Sequence, residues 1–310
     1  MDIRTAGAVR RLELSTTGFL RLALASVGAL WLIMVTGAAV RLTDSGLGCR
    51  HWPGCEKGHP LPAKDYHAYI EFGNRVLGGV TIAVVLLTAL AVGRTPALGR
   101  GARRLAWLVF AGTLAQAPLG YLAVKTDLRW PVVAAHLLLS ALLLAGAVVL
   151  ALLAVQAVEP FMPVELRRLA LAVAFAALAL LVTGTLATAA GPHSGGGAEH
   201  VDRLWRLQPL VYVHAAAVGI FGLGVVFVLG YLAARRDRAP RLFALGLGLL
   251  GVLLVQMVIG EIQYRTHLPW PLVLTHVAFA AAVWAGIVAF VAILWRPPAI
   301  WLSPDSSGRT

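Results

Sequence analysis

Apolar residues run through this chain in eight long, continuous stretches, at about 19–40, 69–92, 104–124, 131–157, 167–189, 208–233, 241–262 and 270–295. Each is long enough to cross the hydrocarbon core of a bilayer as a helix. The runs do not alternate apolar with polar, so they predict helices, which satisfy their own backbone groups where no water is present. The first stretch is too long for the apolar core of a signal peptide. It lacks a small-residue cleavage site and seven further spans follow it, so it reads as a span. The predicted fold class is an all-α polytopic membrane protein with eight transmembrane helices.

The pattern also repeats. QAPLGYLAVKTDLRWPVVAAH at 116–136 and QMVIGEIQYRTHLPWPLVLTH at 256–276 share Gln, Gly, a basic residue before Thr, Leu, Trp-Pro and His at a constant offset of 140. The same offset places Asn74 of IEFGNRV opposite His214 of LVYVHAA. Val35-Thr36-Gly37 matches Val182-Thr183-Gly184 at the slightly larger offset of 147. Four helices per unit is an even number, so the second unit re-enters in the orientation of the first. The expectation is two parallel four-helix-bundle repeats, 1–158 and 166–310, joined by a short linker holding Pro160 and Pro163.

Composition agrees with this reading. Hydrophobic residues make up 59% of 310 residues and charged residues 13%, with a mean hydropathy of +0.80. So few charges would not cover a soluble protein of this size. The net charge of +12 raises nucleic acid as a partner, but its distribution argues against one. The termini and alternate loops hold Arg4, Arg10, Arg11, Arg21, Arg94, Arg100, Arg103, Arg104, Arg167, Arg168, Arg235, Arg236, Arg238, Arg241, Arg296 and Arg309. Those are sixteen of the 26 basic residues, against six of the 14 acidic ones. That is the positive-inside bias, which places both termini in the cytoplasm and makes the partner a lipid bilayer.

His136, His214 and His276 then fall at similar depth, roughly 8–9 Å inside their helices at ~1.5 Å per residue and near the external leaflet. A single histidine in such a place reads as well as a hydrogen-bonded core residue. Recurrence at matched depth favours function. Two neutral imidazoles facing each other across a bundle suit haem iron or another transition metal. No Asp, Glu or Cys adjoins His214 or His276 to complete a tetrahedral zinc site. Small residues at Ala215, Ala216, Ala217 and Gly219, and at Gly73, Gly78 and Gly79, leave room for a flat macrocycle or serve helix packing. Trp130-Pro131 and Trp270-Pro271 read as interface anchors. Glu71 shares one helix face with Asn74, Arg75 and Gly78. It reads either as a first-turn residue facing the helix dipole or as a carboxylate inside the first-half cavity. Lys125, Arg129 and Arg265 are placed to meet carboxylates or lipid headgroups. The only cysteines, Cys49 and Cys55, lie in the long external loop as GLGCRHWPGCEKG. Spacing and an oxidising compartment favour a disulfide. Free thiols, or a metal pair with His51 or His59, are the alternatives.

Taken together, VTGAAVRLTDSGLGC, the following WPGC, IEFGNR and the histidines of helices 4, 6 and 8 resemble the haem A synthase family over nearly the whole chain. The resemblance implies a bacterial-type inner-membrane oxidoreductase that converts the C8 methyl of haem O to a formyl group, giving haem A for cytochrome oxidase. It implies a resident haem b held through iron by His214 and His276, with His136 as an axial ligand to substrate haem O. It further implies Glu71 as the catalytic carboxylate, a Cys49–Cys55 disulfide and an electron acceptor of unidentified kind. Arg75, Lys125, Arg129 and Arg265 become candidate propionate contacts. Haem O synthase and the assembly of cytochrome oxidase become candidate partners. The family pattern Glu-x-x-His-Arg departs here to Glu71-Phe72-Gly73-Asn74-Arg75, which leaves Asn74 in place of an imidazole. Two other function classes fit the histidines: a non-catalytic di-haem cytochrome, and a haem carrier or transporter.

Overall fold

In the computed structural model, residues 13–49, 51–59, 61–62, 65–196 and 203–301 are described. The basic residues Arg4, Arg10, Arg11 and Arg309 lie outside that set. Eight helices follow in order: α1 Thr16–Leu42, α2 Tyr66–Val92, α3 Arg100–Lys125, α4 Trp130–Leu153, α5 Val164–Ala190, α6 Leu207–Ala233, α7 Pro240–Arg265 and α8 Trp270–Trp295. All eight are long and apolar enough to cross a membrane, so this is an all-α, multi-pass membrane protein. Among the described residues there are only isolated bridges, Glu56 with His59 and Ala157 with Pro298, and no strands.

The helices start and stop where local chemistry dictates. Ser15 caps α1 by accepting from Gly18 N, and Asp65 caps α2 by accepting from Ala68 N. Proline occupies the first turn of α4, α7 and α8, where its missing N–H costs nothing. The α3–α4 and α7–α8 turns are copies of each other. Asp127 and Leu128 take φ 50° and 58°, and His267 and Leu268 take 64° and 59°. In both turns the second residue closes the helix end, Leu128 N bonding Ala123 O at 2.8 Å and Leu268 N bonding Gln263 O at 2.7 Å.

One span stops short of its apolar run. α4 ends at Leu153, not near 157. The next residues leave the helix to pair with the segment after α8: Val158 N bonds Pro297 O and Ala299 N bonds Gln156 O. An extended pairing and a continuing helix compete for the same backbone groups, and here the pairing prevails.

Helix neighbours form two closed rings. α1 packs on α2, α2 on α3, α3 on α4 and α4 on α1; α5 packs on α6, α6 on α7, α7 on α8 and α8 on α5. Within each ring α2 stands diagonally opposite α4, and α6 opposite α8. The rings meet chiefly through α8 against α1 and α4. Two tryptophans fasten that seam. Trp31 Nε1 donates to Ala278 O at 3.0 Å, and buried Trp284 Nε1 donates to Ala141 O at 2.8 Å. Trp284 sits in the main apolar core with Leu144, Phe221 and Ile287.

The seam gives the first prediction. Trp284→Phe should cost about 1 kcal/mol through the lost hydrogen bond, and Trp284→Ala about 3–5 kcal/mol through the cavity it leaves. Unfolding in detergent, followed by denaturant titration, measures both. Equal stability of the two variants would contradict a packed seam.

Candidate functional site

His136 and His276 are each the seventh residue of their helices, and His214 is the eighth of α6. The shared depth expected from the sequence therefore holds in the helices themselves. All three rings are half-buried. A glycine on the neighbouring helix faces each ring, tightly at His214 and His276 and at ordinary contact distance at His136. A Cβ at Gly184 of α5 would lie 2.9 Å from His214 Cε1, one at Gly260 of α7 3.0 Å from His276 Cε1, and one at Gly120 of α3 3.6 Å from His136 Cε1. The fourth position has its glycine too. Gly37 of α1 is the counterpart of Gly184, yet a Cβ there would meet nothing within 4 Å, because Asn74 is shorter than an imidazole.

The polar contacts recur in the same way. Thr183 Oγ1 and His214 Nδ1 are 3.1 Å apart, and Thr36 Oγ1 donates to Asn74 Oδ1 at 2.8 Å. Gln116 Nε2 donates to His136 O at 3.1 Å, and Gln256 Nε2 donates to His276 O at 2.8 Å. The two Gln residues anchor the backbone that carries each histidine, and the two Thr residues orient the side chain opposite. Sequence reading found the Gln pair within the repeat. It matched the Thr pair too, but as register only, without assigning it these contacts.

Among the described residues, Nε2 of His136, His214 and His276 makes no hydrogen bond to protein, and Nδ1 of His136 and His276 is buried without a partner. No group of three or more His, Cys, Asp and Glu side chains gathers as a metal cage among them either. Imidazoles with Nε2 free on diagonal helices, without a third or fourth donor among the described residues, would suit a planar metal macrocycle better than a tetrahedral ion.

Glu71 belongs to a different construction from the one its spacing alone suggests. It is the sixth residue of α2, and Asp65 takes the capping role at the helix start, so the first-turn reading does not hold. Glu71 is 5% exposed. Its Oε2 accepts from Cys49 N at 2.7 Å and its Oε1 pairs with Arg75 one turn on. Arg75 Nη1 donates to His51 O and Gly54 O, both at 2.6 Å, and Nη2 donates to Cys49 O at 3.1 Å. Arg75, a candidate propionate contact by position, thus gives both Nη groups to the loop and to Glu71. Cys49 and Cys55 are joined as a disulfide, which removes the free-thiol and metal-pair alternatives. The pair is buried over Ala68 and Phe72. Gly48 permits this close docking: a Cβ there would lie 2.6 Å from the carbonyl carbon and oxygen of His67. Trp52 extends the loop onto α3, edge-on to Tyr121 with centroids 6.0 Å apart.

The remaining basic candidates lie exposed at this end of the bundle. Lys125 sits 5.8 Å from the Tyr121 centroid, Arg129 precedes α4, and Arg265 pairs with Glu261. Arg41, which the sequence reading passed over, crosses between the rings and donates to Thr188 O at 2.7 Å.

A polytopic helical membrane protein with imidazoles seated at one depth on diagonal helices, and a disulfide loop clamped over one ring, is the class that fold and site define. The chain belongs to the COX15-CtaA family, described as cytochrome oxidase assembly protein, whose model matches residues 20–193; this is the family of the haem A synthases. It is 31% identical over 111 residues to a heme A synthase of Geobacillus thermodenitrificans, covering 34% of this chain and 33% of that protein. It is 35% identical over 128 residues to a heme A synthase of Bacillus pumilus, covering 41% of each. These alignments span well under half of those relatives' length. One with a heme A synthase of Shewanella oneidensis runs over 86% of this chain and 93% of that protein at 26% identity.

The clamp gives the second prediction. Thiol reagents should modify neither Cys49 nor Cys55 in the non-reduced protein and both after reduction. Gly48→Ala should lift the loop from α2, at about 1–3 kcal/mol, and speed reduction of the pair. Mass spectrometry of labelled protein follows both steps. Unchanged reduction in Gly48→Ala would show that the loop docks elsewhere.

Proposed function

We propose that the protein is a haem A synthase, oxidising the C8 methyl of haem O to a formyl group for the assembly of cytochrome oxidase. The first ring, 1–158, takes the substrate and the second, 166–310, keeps a resident haem b. The observation that carries this reading is the asymmetry of two otherwise matching rings. Both place a Thr-supported polar side chain diagonally opposite a Gln-anchored histidine. Among the described residues only the first adds a buried carboxylate beneath a disulfide loop. A di-haem electron carrier would use the rings alike and leave that construction without a task.

In the second ring, His214 and His276 would hold haem iron through Nε2. Thr183 occupies the Nδ1 side of His214, fixing which nitrogen faces inward. Bound there, a haem supplies a one-electron redox centre. In the first ring His136 is the strong axial ligand for substrate haem O, and Asn74 offers an amide where the second ring has imidazole. The substrate's change is –CH3 + H2O → –CHO + 4H+ + 4e−, so protons and electrons must both leave. Electrons pass to an acceptor outside the chain. Glu71, held by Cys49 N–H and Arg75, is a fixed negative charge on the helix that carries Asn74. It stabilises positive charge developing at the methyl carbon and accepts a proton from it. The positive-inside bias puts the termini in the cytoplasm of a bacterial-type cell and the sites near the external leaflet.

Expression with a haem O source, pigment extraction and spectroscopy test this reading. Wild type should yield haem A. Glu71→Gln, which keeps an acceptor for Cys49 N–H while removing the charge, should keep the resident low-spin spectrum and lose at least about tenfold in haem A. His214→Ala or His276→Ala should lose the resident spectrum. Normal haem A yield from Glu71→Gln would reduce that residue to a loop clamp. No haem A from wild type would favour the carrier or cytochrome readings.

Asn74→His gives the last prediction of this section. With Gly37 open beside it, the ring has the space that Gly184 gives His214. Wild-type first-ring haem should be high-spin or readily exchanged, and Asn74→His should turn it low-spin and slow its release. A fully low-spin site in wild type, unaffected by the substitution, would mean that another residue supplies the second ligand.

A further inference from the structure

The opposite end of the bundle, which carries Thr16 and the residues after α8, holds a second candidate site. The α4–α5 linker, the α6–α7 turn and the 3-10 turn Ala299–Trp301 enclose a cavity of about 440 Å³ there. Arg235, Arg238 and Arg241 line it, with Phe161 and Trp301 as aromatic walls. Its frame is built rather than incidental. The linker pairs with the segment after α8 through Val158 N and Ala299 N. Arg241 Nη1 donates to Ile300 O at 2.5 Å, holding the 3-10 turn, and Arg235 lies 3.8 Å over the Tyr231 ring. Arg238 has no hydrogen bond from its side chain among the described residues. Among the described residues the ion pairs are Glu71 with Arg75 and Glu261 with Arg265, so none of the three arginines is in one, and Asp237 of the same turn pairs with none of them. The cavity also receives the start of α7, a 26-residue helix with no side-chain cap, where Pro240 has no N–H and those of Arg241 and Leu242 remain available to an anion.

Three guanidiniums that make no ion pair among the described residues, beside an uncapped helix start, suit a phosphate-bearing anion. We propose that this cavity seats the headgroup phosphate of an anionic phospholipid. It lies where eight spans end, which is the headgroup layer of a bilayer. Its aromatic walls suit a ligand with an apolar remainder better than a free ion. Seated there, the lipid ties together the three segments that close the second ring.

Native mass spectrometry and thermal unfolding of the full chain, purified in neutral detergent, test the site. Phosphatidylglycerol should bind and raise the midpoint, whereas phosphatidylcholine at equal concentration should not. Arg238→Gln should weaken binding roughly tenfold, and the triple change of Arg235, Arg238 and Arg241 to Gln should abolish it. The control is the triple change of Arg100, Arg103 and Arg104 to Gln, which removes equal charge from exposed positions at the same end and should leave binding intact. Protection by millimolar inorganic phosphate equal to that by phosphatidylglycerol would keep the anion site and assign it to free phosphate. Equal loss in the control triple, or equal effects of the two lipids, would overturn the proposal. If the pocket triple fails to fold, Arg238→Gln decides alone, and unchanged lipid binding in it sinks the idea.

Discussion

An imidazole inside an apolar bundle needs a hollow beside it, and in this chain the hollow comes from a missing side chain on the next helix. Gly184 and Gly260 each face a histidine ring so closely that a methyl group would press on it, and Gly120 faces the third at ordinary contact distance. Helices can approach at such points because only backbone stands between the ring and the neighbouring axis. Gln116 and Gln256 complete the constraint by bonding the carbonyls of His136 and His276. Those carbonyls belong to the helix turn that carries the ring, so the amide fixes where along the span each histidine sits. A ligand constellation must be held by its supporting shell to be of use. Around these histidines the supporting residues are glycine, threonine and glutamine on the intervening helices.

The same end of the molecule shows what a charge requires in this setting. Glu71 is nearly inaccessible, and an unpaired carboxylate there would be costly. Cys49 N–H and Arg75 both attend to it, and Arg75 in turn binds three loop carbonyls. The loop therefore cannot leave α2 without exposing the carboxylate and freeing the guanidinium. The disulfide shortens the loop that the guanidinium spans, so crosslink and ion pair support one structure. This couples the loop's shape to the electrostatics around Glu71, whichever chemical task Glu71 performs.

Much of the architecture was legible in the sequence, and the reason is physical. Hydrocarbon admits few backbone solutions, so continuous apolar runs read directly as helices, and α1 to α8 fall within a few residues of those runs. The helix end at Leu153 was not legible, because the segment it pairs with, at 297–299, lies far along the chain. The histidine depth could be counted from Trp-Pro, since both turns before α4 and α8 are built alike. The surroundings of Glu71 could not. Periodicity places Glu71, Asn74 and Arg75 on one face, but it carries no information about a loop folding back over that face. The Thr36 and Thr183 contacts were hidden for a related reason: they join helices that the repeat aligns in register without saying which residues touch.

The family match and the internal repeat answer different questions, and their overlap is what makes Asn74 informative. The match runs over 20–193, which contains Glu71, Asn74, His136 and both cysteines but neither His214 nor His276. The second ring's pair is reached through the repeat, where Thr183 and Gly184 hold His214 as Thr36 and Gly37 frame Asn74. Asn74 is thus flanked by an imidazole's neighbours without being one. Its amide satisfies Thr36, and the space beside Gly37 stays open. A larger side chain in place of Asn74 would fill that space and gain the dispersion contacts that a void forfeits. The glycine and the threonine that accompany His214 are thus both present beside Asn74, and across the ring His136 lies against Gly120. The two rings therefore differ at this point in one side chain and not in the frame around it.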